Sequence, residues 1–407
     1  MIKHINTLTA TVGFLALAAS ASATDLYRSG TGTWGDANTW GPGTGGPYNS
    51  NTWVNGDSAF LEGAQGTVTL GADFSADQVA IGGNTASATD YVIGNTPGNN
   101  TLTFTGTKTL TINGVDAVIN TGIAGTPTLN YNSRPNNSAL LTLNPGSLTQ
   151  NYSSTTVVKD VFGGGANAGM ILSGTSVGNS TGPISWSAGG PGHQLFIDKQ
   201  GSGTWEIGDF SSSRARVRAT GTGGTLIING SVLVSHEVDI EAGTLTGSGT
   251  IGVSRGGIEH VQLFAGAALA PGTIGGIGTM TVQNDDFGWA SDDTTAGMLF
   301  DLSTFDNTSD LLNITGTTTG QGGFNKDAGT LFLFDFAGGK AGETYTLVNW
   351  GNSTDFSEGD FAVGSGIDGT FAFNGNSLEF TTTAIPEPST FALLGLGGLA
   401  LILRRRR

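Results

Sequence analysis

The sequence predicts an all-β protein whose body is a right-handed parallel β-helix, and three observations on its 407 residues support this. Short runs of β-branched and polar residues recur between Gly, Asn, Asp and Ser, which is the pattern of strands and turns. Glycine accounts for 68 residues without a three-residue repeat, which excludes collagen and fits many turns. No convincing long helix is found between residues 24 and 384.

The strand signals are clearest in TLTFTGTKTLTI (101–112), ALLTLN (139–144), the stretch 224–253, LFLFDF (331–336) and TYTLVNW (344–350). We expect each coil of the helix to add about 4.8 Å and to stack its inward side chains on those of the next coil. At an assumed ~20 residues per coil, the body would contain about 15 to 18 coils. Two or more β-sandwiches also give short strands with frequent turns and remain the alternative.

Composition excludes several classes of function. The chain has no cysteine, so it has no disulfides, thiol chemistry or cysteine-based metal sites. Its net charge of -16 argues against nucleic acid, because phosphate backbones are bound by clustered Lys and Arg. We therefore expect an acidic, soluble body.

Residues 1–23 predict a secretory signal peptide. Lys3 precedes the apolar run VGFLALAA, and the small residues Ala21 and Ala23 fit the site that signal peptidase recognises. Cleavage is expected before Thr24.

The other end carries a short apolar segment followed by four arginines. A helix over 389–403 would be about 22 Å long, which is short for a hydrocarbon core of about 30 Å. Arg404, Arg405, Arg406 and Arg407 are expected to stay on the cytoplasmic side and fix the topology. The segment is therefore expected to hold the chain transiently in the inner membrane, and a permanent tail anchor is the alternative.

Pro386, Glu387 and Pro388 stand directly before this segment. The complete arrangement of tripeptide, glycine-interrupted apolar helix and arginine cluster, 385–407, closely resembles the PEP-CTERM sorting signal. The resemblance implies recognition by an exosortase and cleavage near the tripeptide. It also implies a Gram-negative host that makes exopolysaccharide, with the product at the cell surface or in the extracellular matrix.

A second resemblance covers parts of the body. GTLTGSGTIG (243–252), AGAALAPGTIGGIGTMTV (265–282) and LFDLSTFDNTSDLLNITG (299–316) are similar, in this order, to the passenger repeats associated with autotransporters. The tryptophan-rich start with GDSAF (56–60) resembles the opening of such passengers. No autotransporter barrel follows, so we expect another route across the outer membrane.

These signals divide the chain into a signal peptide (1–23), a tryptophan-rich cap (24–63), solenoid repeats (64–290), a C-terminal β region (291–384) and the sorting signal (385–407). Trp34, Trp40 and Trp53 are expected to cover the open end of the first coil, because uncovered ladder ends pair with other chains. A platform on which sugar rings stack is the alternative.

Side chains that could carry chemistry are few. His193, His236 and His260 show no metal-ligand spacing and are interpreted as turn or surface residues. The stretch 284–310 is predicted to form solvated turns, although oxygen-rich loops can also hold Ca²⁺. Its seven aspartates are Asp285, Asp286, Asp292, Asp293, Asp301, Asp306 and Asp310.

The segment RARVR places Arg214, Arg216 and Arg218 on one face of a strand. Such a row could bind an anionic polysaccharide. We expect Glu206 and Asp209, from neighbouring rungs, to neutralise it instead.

The sequence therefore predicts an exported structural or adhesion protein rather than an enzyme, with no catalytic residue and no cofactor. Its expected partners are exosortase and signal peptidase during processing, the inner membrane transiently, and exopolysaccharide or other matrix components. A β-helical polysaccharide lyase or hydrolase is the second hypothesis. A permanently membrane-anchored periplasmic protein is the third.

Overall fold

The computed structural model describes residues 24–383, apart from 37–38, 63–65, 83–90, 95–99, 134–138, 160–166, 189–193, 213, 235, 254–260, 274 and 317–320. The predicted signal peptide and sorting signal, including the helix proposed for 389–403, lie outside the described residues. Within them, no helix is long and apolar enough to cross a membrane.

The described chain forms three long sheets; up to residue 172 it passes through two of them, and from residue 179 onward the third joins them. The sixteen-stranded sheet contains β1 (Asp25–Arg28), β3 (Ser58–Leu61), β5 (Phe74–Ile81), β7 (Thr101–Asn113), β9 (Gly122–Ala124), β10 (Thr128–Ser133), β12 (Ser154–Lys159), β15 (Ile184–Ala188), β18 (Phe210–Ser211), β21 (Ser231–Val234), β24 (Thr250–Val253), β27 (Thr279–Gln283), β30 (Leu311–Ile314), β33 (Thr344–Trp350), β35 (Gly369–Phe373) and β36 (Ser377–Thr382).

The other two sheets form the remaining faces of the coil. The twelve-stranded sheet contains β2 (Gly32–Thr33), β4 (Gly66–Thr69), β6 (Tyr91–Ile93), β8 (Ala117–Ile119), β11 (Ala139–Leu143), β13 (Ala168–Leu172), β16 (Leu195–Lys199), β19 (Ala215–Ala219), β22 (Val238–Ile240), β25 (Val261–Leu263), β28 (Phe287–Ala290) and β31 (Phe324–Ala328). The eight-stranded sheet contains β14 (Asn179–Ser180), β17 (Thr204–Ile207), β20 (Thr225–Ile228), β23 (Gly243–Gly247), β26 (Ala267–Pro271), β29 (Met298–Leu302), β32 (Phe332–Gly338) and β34 (Phe361–Ser365).

The strand pairing is that of a parallel β-helix. The ladders between these strands are parallel, except for those that β36 makes with β33 and β35. The only helical element among the described residues is a 3₁₀ turn, Glu358–Asp360. The all-β solenoid that the sequence predicts is therefore confirmed, and the β-sandwich alternative is wrong.

One inward ladder runs through the sixteen-stranded sheet from end to end. Each member pairs with the next and is buried: Leu26, Ala59, Val79, Leu110, Leu129, Thr155, Ile184, Phe210, Val232, Ile251, Val282, Ile314 and Trp350. Alternate residues point outward, which is the period of a half-buried strand. The single hydroxyl, that of Thr155, donates to the carbonyl of Thr181 at 2.7 Å, so no polar group is left unpaired on this ladder.

The ladder corrects the expected number of coils. Its thirteen rungs are spaced on average by about 27 residues, not 20, so the estimate of 15 to 18 coils is too high. The spacing is also uneven: Leu110 and Leu129 are adjacent rungs 19 residues apart, whereas Ile314 and Trp350 are 36 apart. The cause is that corner loops differ in length while the strands keep the register.

The predicted strands are present, with small differences at their ends. The segment 101–112 forms β7, but its register against β5 shifts between Ala76 and Gln78. The extra residues of β7 form a bulge, in which Gly106 and Lys108 adopt the left-handed backbone conformation with φ of 66° and 53°. The alternation of threonines along TLTFTGTKTLTI is therefore interrupted in its middle.

Candidate functional site

The tryptophan-rich start forms a closed aromatic cluster. Trp34, Trp40 and Trp53 lie with ring centroids 4.9 to 5.2 Å apart, and their exposed fractions are 0%, 0% and 7%. The indole N–H of Trp40 donates to the carbonyl of Trp34 at 2.8 Å. Because the ring faces are covered, they offer no platform for a sugar ring. The boundaries of the predicted cap stay predictions.

The arginine row of RARVR forms a charged ladder on the outer face of the twelve-stranded sheet. Arg218 binds Asp198 with two contacts, Nε–Oδ1 at 3.0 Å and Nη2–Oδ2 at 3.1 Å. It also reaches Glu241 at 3.2 Å, and these acidic partners raise the pKa of Arg218, the hydrogen bond to Asp198 most of all. Its guanidinium is thus neutralised on both sides.

Arg216 is also occupied. Its guanidinium lies 4.3 Å from the ring centroid of Phe196 and 3.7 Å from a carboxylate oxygen of Glu237. The expectation that Glu206 and Asp209 neutralise the row is wrong. Glu206 belongs to β17 in the eight-stranded sheet and accepts from Asn229, while Asp209 accepts the N–H of Ser231. Residues that are close in sequence to the arginine row therefore do not lie beside it on the adjacent coils.

Two carboxyl groups of this ladder, those of Asp239 and Glu237, lie next to each other. Burial, and then the hydrogen bond and charge of Glu237, raise the pKa of Asp239 to about 7. Hydrogen-bonded carboxyls are closer together than the roughly 5 to 9.5 Å that glycoside hydrolysis requires. The pair therefore does not provide the geometry of a hydrolase.

The histidines make no site among the described residues. His236 Nε2 lies 2.8 Å from Gln194 Nε2, whereas His193 and His260 lie outside the described residues.

Three of the seven aspartates in 284–310 lie in solvated turns, as expected. Asp292 accepts the N–H groups of Thr294 and Thr295, and these bonds lower its pKa to about 2. Backbone and hydroxyl donors likewise lower the pKa of Asp293 and Asp306. These carboxylates stabilise loops.

Three others are buried, which the sequence analysis missed: Asp285, Asp286 and Asp310. Burial raises the pKa of Asp285 and of Asp310 to about 7. Asp310 accepts the N–H groups of Gly278, in the corner loop before β27, and of Asp301, in β29, and so connects these two segments. Within the described part of the chain, no three His, Cys, Asp or Glu side chains come together as a metal site requires.

Lys199 is another buried charged residue that was not predicted from the sequence. It occupies an inward rung between Leu172 and Ala219 and is 1% exposed. Its amine donates to the carbonyls of Gln200 and Gly201, and burial lowers its pKa to about 8. The alternation in LFIDK, which points Leu195, Ile197 and Lys199 to one side, was the signal that could have found it.

A groove of about 250 Å³ lies on the outer face of the eight-stranded sheet near the C-terminal end. Its walls come from β26, β29, β32 and β34 and from the corner loop after β26: Ala270, Gly275, Leu299, Phe300, Asp301, Asp335, Phe336, Ala337 and Ser365. Leu299 and Asp335 are register partners, which places Asp301 diagonally across from Asp335. No pair of carboxylates in a groove was predicted here, because the loop lengths that bring them together have no sequence rule.

Comparison with known proteins identifies a sorting motif in the chain and a protein that is similar to part of it. Residues 384–407 match the family described as PEP-CTERM protein-sorting motif. A stretch of 270 residues is 28% identical to Adhesin BmaC autotransporter of Brucella suis biovar 1 (strain 1330). That match covers 57% of this chain but 8% of the adhesin, so the chain corresponds to a small part of that protein.

A PEP-CTERM motif implies an exported protein that an exosortase processes. The residues proposed as the sorting and topology signals lie within the matched range, outside the described residues. The chain therefore carries a PEP-CTERM protein-sorting motif behind an all-β solenoid that is similar to a small part of an autotransporter adhesin.

Proposed function

We propose that this protein is a structural or adhesion protein of the cell surface or extracellular matrix of a Gram-negative bacterium. Signal peptidase removes residues 1–23, and the apolar segment holds the chain in the inner membrane with Arg404–Arg407 in the cytoplasm. Exosortase then cuts near Pro386-Glu387-Pro388 and releases the solenoid for transport to the surface. There it associates with exopolysaccharide or other matrix components.

The observation that carries this proposal is the sorting motif at residues 384–407. Two features support the structural or adhesive role. The inward ladder is continuous over thirteen rungs, which gives a long stiff rod. A stretch of 270 residues is 28% identical to part of a protein named as an adhesin.

A non-catalytic role is part of the proposal. Arg216 and Arg218 of the charged ladder contact carboxylates, and the hydrogen-bonded Glu237–Asp239 pair is too close for glycoside hydrolysis. Among the described residues that line the groove beside Asp301 there is no Lys, Arg or His that could act as the base of a lyase. Incubation with polysaccharides and an assay for new reducing or unsaturated ends tests this part, and sustained turnover would overturn it.

The sorting step is tested by replacing Pro386, Glu387 and Pro388 with alanine and following the protein by fractionation. We expect the variant to keep its C-terminal segment and to accumulate in the inner membrane. Thr383→Ala, an exposed change just before the motif, is the matched control and should be processed normally.

Mass spectrometry of the mature C-terminus separates the proposal from the permanent anchor. A wild-type product that ends near residue 388 supports exosortase processing. A surface product that retains Arg407, or a triple-alanine variant that leaves the membrane as the wild type does, contradicts it.

A further inference from the structure

We propose that the groove on the outer face of the eight-stranded sheet binds one ring of an uncharged polysaccharide. This inference rests on the proposed function, because it names the class of matrix component that the solenoid takes and where it takes it.

The size and shape of the groove suit a single sugar ring. At about 30 Å³ per water molecule, 250 Å³ corresponds to roughly eight waters. The groove is open to solvent along the sheet, so a polymer could enter with one unit seated and its neighbours outside. A closed pocket would admit only a free small molecule.

The lining offers contacts both for the C–H groups and for the hydroxyl groups of a pyranose. Leu299 and Ala337 present apolar surface, against which the C–H face of a ring can pack. Asp301, Asp335 and Ser365 stand beside that surface and offer oxygen acceptors for hydroxyl groups. Hydrogen bonds to charged acceptors are stronger than bonds between neutral groups.

The charge of the groove sets the ligand class. Asp301 and Asp335 are both half-buried, and the described residues that line the groove include no Lys, Arg or His. Lys340, which follows β32, forms an ion pair with Glu343. A uronic acid or sulfated unit would therefore be repelled by the groove carboxylates, whereas an uncharged unit would not.

An exposed aromatic residue lies on the loop that leaves the groove. Phe305 is 88% exposed, and its loop begins two residues after Asp301 on the same strand. The hydroxyl of Ser303 accepts the N–H groups of Phe305 and Asp306, and Asp306 accepts from Thr308. Because these hydrogen bonds hold the loop, the exposed ring of Phe305 offers a fixed face on which a neighbouring sugar unit can stack.

The test uses the purified full chain in detergent micelles and isothermal titration with uncharged hexasaccharides of glucose, galactose, mannose and N-acetylglucosamine. Hexagalacturonate is the anionic comparison. We expect at least one uncharged hexasaccharide to bind and hexagalacturonate to bind at least tenfold more weakly. Binding should persist in EDTA, since no cation is required.

Three variants locate the site. Asp301→Asn and Asp335→Asn should each weaken binding about tenfold, and Phe305→Ala should weaken it about fivefold. Asp25→Asn removes the same charge from an exposed carboxylate at the other end of the solenoid and should leave affinity unchanged. An unchanged urea midpoint shows that the variants are folded.

The proposal is overturned if no uncharged hexasaccharide binds, if hexagalacturonate binds equally well, or if the groove variants bind as the wild type does. None of these results would touch the sorting claim, because processing at residues 384–407 is measured separately by the mass of the mature C-terminus.

Discussion

The two ends of the solenoid are closed in different ways. At the N-terminal end, the free edge of β1 is covered by one antiparallel bridge, in which Tyr27 and Gly41 exchange two hydrogen bonds of 2.8 Å. The tryptophan cluster of Trp34, Trp40 and Trp53 lies in the same segment. Few backbone bonds and three large rings close this end.

At the C-terminal end, backbone pairing contributes more to the closure of the solenoid. Strand β36 runs antiparallel to β33 over five residue pairs and then pairs with β35. A cluster of phenylalanines lies beneath, in which the ring of Phe361 contacts six other aromatic rings. The sheet is therefore extended at this end by the two strands of an antiparallel hairpin instead of by another coil.

The comparison shows that closure can rest on a few side chains or on a shared network. Among the aromatic rings of the described residues, the three tryptophans pair only with one another, so removing one leaves a single ring pair. A ring with six partners leaves a network that can partly close around the gap. The cost of a large-to-small change depends on how well the site can collapse.

The largest effect is expected from Trp34→Ala, at about 4 kcal/mol of unfolding free energy, against about 3 kcal/mol for Phe361→Ala. Because repeats contact only their neighbours, each loss should be confined to its own end. Hydrogen exchange should show faster opening of β1 and β3 in the first variant and of β34 and β35 in the second. Urea unfolding supplies the free energies.

Trp34→Phe is the control for the first end and should cost less than half as much as alanine, because most of the ring contact is kept. Equal losses in Trp34→Ala and Phe361→Ala, or exchange that rises along the whole solenoid, would show that the two closures do not differ as described.

The second effect is a pH dependence of the C-terminal half. Asp285 and Asp310 have folded pKa values of about 7 against an ordinary 3.8. Between pH 4 and 7 the unfolded chain loses these protons while the folded chain keeps them, so stability falls as pH rises and levels off above 7. We expect a loss of about 2 kcal/mol per group between pH 5 and 8. Urea unfolding at these two pH values measures it.

The shifted groups at the N-terminal end are Arg28, Tyr48 and Tyr91, whose ordinary pKa values are 10 or above. Hydrogen exchange of β1 to β5, corrected for the intrinsic rate, should therefore change little over the same range. Asp285→Asn keeps the acceptor for the Asp286 N–H and should make the pH profile less steep by the share of one group, since Asp310 and Asp239 still titrate. A profile as steep as that of the wild type would refute the assignment to Asp285.

The fold followed from the sequence where alternation was regular, as in 224–253, because a period of two fixes which side chains point inward. The contacts of the charged side chains could not be predicted in the same way. A side chain contacts the residues that stack on it from adjacent coils, and these are not its neighbours along the chain. Arg218 meets Asp198 and Glu241, which are 20 and 23 residues away, past the nearer Glu206 and Asp209. The buried Asp310 and the groove at Asp301 depend on corner loops whose lengths vary from coil to coil.

The smallest effect tests the last strand of the C-terminal closure. The hydroxyl of Thr382 is buried, donates to the carbonyl of Lys340 at 2.6 Å and accepts the N–H of Glu343 at 3.1 Å. Thr382→Val keeps the shape but leaves these groups unpaired, which should cost about 1 to 2 kcal/mol. Thr381→Val, on the exposed face of the same strand, is the matched control and should cost less than about 0.5 kcal/mol. Since β36 holds five pairs with β33, exchange should quicken near Thr382 and leave Leu378 protected. Equal losses in both variants would mean that the strand is held by its backbone ladder alone.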